Sequence, residues 1–173
     1  MVDEEGFREF LRVRLPRLSR AAYLLAGGHA QAEDLLQGAL IKAALAWPKI
    51  SKADDPEAYV RKILYHEHVR TWRRRRWREH SIADVPERVQ HHDETNQTVL
   101  RLVLRDALSK LTPKQRAVIV LRYFEDLSES DTAQALGIAV GTVKSQTSHA
   151  LGRLRKLAPE LAERVEESMG VAS

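Results

Sequence analysis

The sequence predicts an all-α protein made of two small helical domains, and three observations support this prediction. The chain of 173 residues contains only 8 Gly and 6 Pro, which fall mostly between segments of helical periodicity. No segment alternates apolar and polar residues for long enough to form a strand. An acidic, aperiodic segment, residues 81–99, divides the chain. We therefore predict one domain over residues 1–80, a linker over 81–99 and a second domain over 100–158.

The first domain is predicted to contain three helices. The first helix spans residues 5–26 and ends at Gly27, because glycine commonly occupies the position after a helix. The second spans 30–47 and ends before Pro48, since proline restricts the residue that precedes it. The third begins with Pro56 at its first position, where proline is favoured, and extends into a run of arginines.

The second domain returns to a clear helical pattern. Thr112 opens one helix with a capping box, Ser128 opens the next, and Gly137 ends it. The last long helix is predicted over 140–157, followed by a short acidic tail over 159–173. One apolar stripe precedes these elements and consists of Leu100, Val103, Leu104, Ala107, Leu108 and Leu111.

Charge is strongly segregated along the chain. The 28 basic and 24 acidic residues give a net charge of only +4. Residues 61–80 hold eight Arg or Lys against two Glu, which is +6, and residues 141–158 hold four Arg or Lys and no acid, which is +4. The rest of the chain therefore sums to −6. Two basic patches on a mildly acidic protein indicate contact with a polyanion at two places.

Several classes of protein are excluded by what the sequence lacks. There is no cysteine, which excludes disulfides, thiolate metal sites and a cysteine nucleophile. No apolar run approaches the length of a membrane span, and the acidic start does not resemble a signal peptide. We expect a soluble cytoplasmic protein with no membrane insertion.

Two segments contain closely spaced histidines that could suggest a metal site, 66–68 and 91–93. Residues two apart on a helix point in different directions, and the spacing His-Glu-x-x-His is absent. No glycine-rich phosphate loop or nucleophile elbow occurs either. We therefore expect no metal, no cofactor and no enzymatic activity.

The segment from Ser128 to Leu157 has the pattern of a helix-turn-helix, two helices joined by a tight turn at Gly137. The second helix of this motif can enter the major groove of DNA. Its face away from the core offers amide, hydroxyl, imidazole and cationic groups. The alternative is a small bundle whose last helix is merely solvated. The absence of any acid from Gly141 to Ala158 favours DNA.

The basic run from Arg70 to Arg78 is interrupted by two tryptophans. Arginine neutralises phosphates, while Trp72 and Trp77 can stack on unpaired bases or anchor the helix in a core. The alternatives are ordinary core roles for Tyr59 and Trp72, and a nonspecific polyanion or localisation patch.

Four segments occur in order along the chain, over residues 32–43, 58–75, 111–128 and 135–145. Many regulators share the last segment, but the four together are specific and cover nearly all of the chain. Together they resemble the extracytoplasmic-function (group 4) sigma factors of bacterial RNA polymerase. The resemblance implies a sigma-2-like helical bundle and a sigma-4-like helix-turn-helix domain joined by an acidic linker.

The resemblance also implies binding roles. Asp34 and Gln37 align with residues that grip the coiled coil of the largest subunit of core RNA polymerase, whose flap is a second expected contact. Promoter DNA and an anti-sigma factor are the other implied partners. The residues implied at the −10 element are Arg61, Lys62, His66, Arg70, Arg73 and Arg74. Those implied at the −35 element are Thr142, Lys144, Ser145, Gln146, Ser148, His149 and Arg153.

The chain departs from the family's pattern at five positions. Gly38 replaces a frequent acid, and His66 stands where asparagine is common. Ala139 replaces a serine cap, a loss of about 1 kcal/mol in helix stability. Gln146 and His149 stand where arginines are usual, so we expect a −35 preference that differs from the family's common one.

The sequence thus predicts a non-catalytic sigma factor that tethers polymerase to two promoter elements. One alternative is a stand-alone helix-turn-helix regulator that binds duplex DNA, which would leave Asp34, Gln37 and the Trp/Arg run without a role. Another is a helical scaffold whose basic patches bind acidic proteins.

Overall fold

The computed structural model describes residues 3–79 and 97–167, and within these ranges the chain is helical with no strand. The N-terminal half, residues 3–79, contains three helices: α1 (Glu4–Ala26), α2 (His29–Ile50) and α3 (Pro56–Glu79). The C-terminal half, residues 97–167, contains α4 (Gln97–Ser109), α5 (Pro113–Ile119), a π-helical turn (Val120–Phe124), α6 (Glu129–Leu136), α7 (Val140–Leu157) and α8 (Pro159–Glu167). The all-α prediction is confirmed for the described residues, and most of the predicted linker lies outside them.

Side-chain and glycine caps set the helix ends, as the sequence predicts. Gly27 and Gly137 end α1 and α6 in the left-handed conformation, with φ of 76° and 66°. Thr112 forms the predicted capping box with Gln115. Ser128 caps α6 through the Asp131 amide, whereas Ala139 leaves α7 without a side-chain cap.

Three predicted boundaries were wrong. Helix α2 does not stop before Pro48 but continues to Ile50, because Ile50 is fully buried and anchors the last turn. Helix α4 begins at Gln97, inside the predicted linker. The predicted acidic tail begins with a helix, α8, and this helix buries Ala162.

The N-terminal half has its own small apolar cluster around Trp47. The rings of Phe7 and Phe10 each lie 5.1 Å from the Trp47 ring, in tilted arrangements. Leu18 and Val60 complete the cluster from α1 and α3. This packing fixes α1, α2 and α3 as one unit and orients the outer faces of α2 and α3.

The two halves are packed against each other around a shared core, which the sequence did not predict. Leu25 and Tyr65 from the N-terminal half and Leu108 and Leu121 from the C-terminal half belong to one buried cluster. The structure places the two predicted domains in direct contact through this cluster, in a closed arrangement.

The turn between α6 and α7 gives a prediction with two opposite signs. We expect Gly137→Ala to lower the free energy of unfolding by about 1 kcal/mol, because a Cβ is strained at the left-handed φ of 66°. We expect Gly141→Ala to raise it by about 0.5 kcal/mol, since Gly141 is helical and a Cβ there meets no atom within 4 Å. Urea denaturation of both variants checks the pair. Equal shifts of the same sign would contradict the assigned turn.

Candidate nucleic-acid and polymerase interfaces

Helix α7 presents the predicted −35 residues on its outer face. Val143, Ala150 and Leu154 are buried and fix the rotation of the helix. Gln146 is half-buried, and the remaining predicted residues are exposed: Thr142, Lys144, Ser145, Ser148, His149 and Arg153. The exposed side of the helix therefore carries hydroxyl, amide, imidazole and cationic groups that can contact the base edges and phosphates of a DNA groove.

A shallow groove runs between the start of α6 and α7 beside this face, and Ser148 and Leu151 contribute to its lining. Lys144 Nζ lies 3.7 Å from Glu129 Oε2 across it. This exposed pair contributes little to stability and leaves the Lys144 ammonium available to a phosphate.

Helix α3 presents the predicted −10 residues in two different environments. Lys62, His66, Arg70 and Arg74 are exposed. Partial desolvation and the charge of Lys62 lower the pKa of His66, with Glu67 opposing, which favours the neutral imidazole with one donor and one acceptor. The side chains of Arg73 and Trp72 lie outside the described residues.

Arg61, the remaining −10 candidate, is not free. Its side chain is only 11% exposed, and its guanidinium lies 3.1 Å from Glu125 of the C-terminal half and 3.6 Å from Glu57. Arg17 of α1 shares both carboxylates, at 3.1 Å from Glu125 and 3.2 Å from Glu57. Arg14 lies 3.0 Å from Glu57. Sequence reasoning missed this cluster because its members read individually as surface charges.

Arg116 forms a second link between the halves that the sequence did not predict. Its buried guanidinium donates to the Leu108 carbonyl at 2.7 Å and to the Leu25 carbonyl at 2.5 Å. It also donates to the carbonyls of Ser109 and Leu111 at 3.0 and 3.3 Å. The guanidinium thus pairs the ends of α1 and α4, whose last carbonyls lack partners within their own helices. Burial lowers the pKa of Arg116 to about 10, so the group remains charged at neutral pH.

Helix α2 exposes the residues predicted to bind polymerase. Asp34 and Gln37 are exposed on its outer face. Sequence reasoning missed Ile41 and Leu45, which are 56% and 81% exposed and continue the same face at helical spacing. Large apolar side chains left in water beside polar ones are typical of a protein-binding surface. The sequence did offer one signal for this surface, because Ile41 and Leu45 are large apolar residues that lie outside the apolar stripe buried by α2.

No group of three potential ligands that could hold a metal occurs in the described residues. The segment 91–93 lies outside them. None of the described helices is long and apolar enough to cross a membrane.

His68 gives a prediction of pH dependence. Burial, together with the charge of Arg116, lowers the pKa of His68 from its ordinary value of 6.5 to about 4, while a backbone hydrogen bond with Pro113 opposes the shift. The imidazole is neutral in the folded and unfolded chain above pH 6.5. Between pH 6.5 and about 4, His68 binds a proton in the unfolded chain but remains neutral in the folded chain. We expect the free energy of unfolding to be fully retained above pH 6.5 and to fall by about 3 kcal/mol towards pH 4.

Urea denaturation at a series of pH values measures this loss. His68→Gln should flatten the dependence over that window, whereas His149→Gln, on the exposed face of α7, should leave it as in the parent. If the parent and His68→Gln lost stability equally, another group would be responsible.

Comparison with known proteins agrees with this geometry. The family model "Sigma-70 region 2" matches residues 10–78, and "Sigma-70, region 4" matches residues 101–154. The fold and its two matched regions define a sigma-70-type protein.

Sequence similarity to individual proteins shows which group of sigma-70-type proteins the chain belongs to. The chain is 39% identical to the RNA polymerase sigma-E factor of Streptomyces avermitilis over 87% of this chain and 83% of that protein. It is 34% identical to the ECF RNA polymerase sigma factor SigL of Mycobacterium tuberculosis over 83% of this chain and 84% of that protein. The sigma factor RpoE from Bartonella quintana, solved in complex with the anti-sigma factor NepR, superposes with a TM-score of 0.74 at 31% identity, covering 88% of this chain and 96% of that one. The chain therefore belongs to the ECF RNA polymerase sigma factors, which direct transcription initiation.

Proposed function

We propose that this chain binds core RNA polymerase through α2 and carries it to promoters read by α3 and α7. The observation that carries the proposal is the presence of three exposed faces of different chemistry on three separate helices. The face of α2 is polar and apolar, whereas those of α3 and α7 are cationic. A protein that only bound duplex DNA would need α7 and its supporting helices alone.

The polymerase face consists of Asp34 and Gln37 with the apolar extension Ile41 and Leu45. Asp34 and Gln37 supply directional hydrogen bonds, while the two apolar side chains lose water on binding. The coiled coil of the largest polymerase subunit is the proposed partner of this face, and the flap is proposed to hold the C-terminal half.

The −10 face is proposed to bind the opened DNA strands of the −10 element. Lys62, Arg70 and Arg74 lie along one side of α3 and can follow a phosphate backbone, while His66 can reach a base edge. Arg61 and Arg73 complete the proposed set.

The −35 face is proposed to bind duplex DNA in the major groove. Lys144 and Arg153 contact phosphates, and Ser145, Gln146 and His149 lie where base edges would be read. Thr142 and Ser148 supply further hydroxyl groups. The −10 and −35 faces lie on one chain, so binding at one element raises the effective concentration of the other face near its own element. The chain therefore binds a promoter more tightly than either face alone.

The chain is proposed to act in the cytoplasm, without catalytic activity of its own, and to be held inactive by an anti-sigma factor. The relative solved in complex with NepR supports this kind of partner.

Co-elution with purified core polymerase tests the proposal. We expect the parent to elute with core polymerase on size exclusion and Asp34→Ala to elute later, as free protein. Thr147→Ala is the control and should co-elute, because Thr147 is a half-buried residue of α7 and does not belong to the α2 face. If the parent stayed free while it still protected duplex DNA, the stand-alone helix-turn-helix regulator would be the better function.

A further inference from the structure

Glu67 of α3 holds two cations that come from different helices. Its Oε1 accepts a hydrogen bond from Lys42 Nζ of α2 and lies 3.6 Å from the guanidinium of Arg70, about one turn further along α3. The Glu67 side chain is only 16% exposed, whereas those of Lys42 and Arg70 are 40% and 55% exposed. The carboxylate is therefore set deeper than the two cations, which both reach solvent where α2 meets α3.

This cluster of Lys42, Glu67 and Arg70 carries a surplus of positive charge. Two cations share one carboxylate, and no second carboxylate of the described residues pairs with either of them. One cation lies at hydrogen-bond length from Oε1, about 3 Å, and the other at 3.6 Å, so the two nitrogen atoms are no more than about 7 Å apart. A phosphate group fits between cations at this spacing and accepts a charge-assisted hydrogen bond from each.

Helix α2 adds no side chain to this cluster at Gly38. A Cβ at this position would lie 3.9 Å from Glu67 Oε2, so the carboxylate reaches across to the backbone of α2. An acidic side chain at position 38 would bring a second carboxylate towards the same cations and neutralise the surplus charge. Glycine at this position therefore keeps the cluster positive.

The cluster continues the row of cationic side chains on α3. This row consists of exposed residues four positions apart on one side of the helix: Lys62, His66, Arg70 and Arg74. Lys42 joins the row beside Arg70 through the carboxylate that they share. On α2, Lys42 lies about 80° around the helix from Asp34, at about 100° per residue, so it flanks the polymerase face and does not belong to it.

We propose that Lys42 and Arg70 form a two-cation site for one phosphate of the opened −10 strand, with Glu67 as the positioning residue that holds the two cations together. The inference rests on the proposed −10 face and extends it to α2, a helix otherwise assigned to polymerase. A carboxylate of the polymerase is the other anion that such a site can take. Continuity with the cations of α3 favours the nucleic acid.

Binding of a random-sequence pool of single-stranded DNA to the free chain tests this site. Lys42→Gln should bind the pool about fivefold more weakly than the parent at about 50 mM salt, and the slope of log K against log[salt] should become shallower by about 0.7, the value for one phosphate of a single strand. Lys49→Gln removes the same charge from an exposed position of the same helix and is the matched control. It should bind within about twofold of the parent with an unchanged slope.

A double substitution tests whether the two cations hold the same phosphate. Arg70→Gln alone should cause a loss similar to that of Lys42→Gln, and the two together should lose little more than either alone, because one shared contact is removed. In a Glu67→Gln background the two cations are no longer held together, so their losses should add. Losses that add in the parent background would overturn the shared site, and losses that do not add in the Glu67→Gln background would overturn the positioning role.

Gly38→Glu reaches the same site without removing a cation. The new carboxylate should pair with Lys42 and weaken binding of the pool about as much as Lys42→Gln does. The change replaces a glycine inside α2 with a better helix former, so the helix should remain folded. Circular dichroism checks the folding of each variant, and Gly38→Glu decides the result if Lys42→Gln fails to fold.

The proposal would be overturned if Lys42→Gln and Gly38→Glu bound the pool as Lys49→Gln does, or if the parent bound no single-stranded DNA. It would also be overturned if Lys42→Gln lost affinity for core polymerase while its DNA binding stayed that of the parent, since the site would then take a carboxylate of the polymerase. The pool is measured without polymerase, so failure of the parent to bind core polymerase would count against the proposed function alone.

Discussion

Arg116→Met is expected to lower the free energy of unfolding by about 3 kcal/mol. The guanidinium donates to four carbonyl oxygens, of Leu25, Leu108, Ser109 and Leu111. Methionine fills much of the same space but donates nothing, so the carbonyls at the ends of α1 and α4 lose this donor in a largely buried site, although the Leu108 carbonyl keeps the Leu111 amide at 3.1 Å. The relief from burying a charge offsets only a part of this cost.

Urea denaturation at pH 7 measures the loss. Arg105→Met is the matched control, because Arg105 donates a hydrogen bond to the Tyr23 hydroxyl across the same two halves, at 3.0 Å. We expect the control to lose less than about 1 kcal/mol. If both variants lost the same free energy of unfolding, the hydrogen bonds from Arg116 to the carbonyl cluster would not contribute more to stability than the bond from Arg105.

Leu45→Glu is expected to weaken the affinity for core polymerase about 30-fold or more. Leu45 is 81% exposed at the end of the α2 face that begins with Asp34, so the change leaves the folded chain intact. A buried apolar anchor is worth about 2 kcal/mol in a typical protein interface, and a glutamate at the same place must also lose its hydration.

A titration of labelled chain with core polymerase checks this effect. Val13→Glu is the control, since Val13 is 55% exposed on α1 of the same half and no partner is proposed there. The control should bind within about twofold of the parent. If both variants bound as the parent does, the polymerase surface would have to lie elsewhere than on the outer face of α2.

Local features of the fold were predictable because single residues determine them. Gly27 and Gly137 adopt the left-handed conformation that ends a helix, and Thr112 and Ser128 form caps through bonds three residues away. Helix α7 was predicted with its full bounds, since its apolar period is regular and flanked by clear turns.

Errors arose where tertiary packing overrides local preference. Pro48 lies inside α2 because burial of Ile50 outweighs the missing backbone hydrogen bond. Helix α8 forms where composition indicated an acidic tail, because Ala162 docks on the shared core. The mean charge of a segment does not reveal one apolar contact of this kind.

The closed arrangement could not be predicted from local patterns. Glu125 lies 108 residues from Arg17 and 64 residues from Arg61 along the chain, and each of the three is an ordinary surface residue by type. Arg116 likewise reads as one basic residue of an amphipathic helix, although its guanidinium is buried among carbonyls. Residues that join two halves show their role only when the halves are seen together.

Run-off transcription with core polymerase on a library of random promoter sequences is the most direct measurement of the central claim. The chain should direct initiation at defined sites, and the selected templates should be enriched for one motif near −10 and a second near −35. Lys144→Ala together with Arg153→Ala should erode the −35 motif while the −10 motif persists. Core polymerase that gained no defined start sites from the chain, although the chain bound duplex DNA alone, would contradict the assignment of α2, α3 and α7 to a single initiating complex.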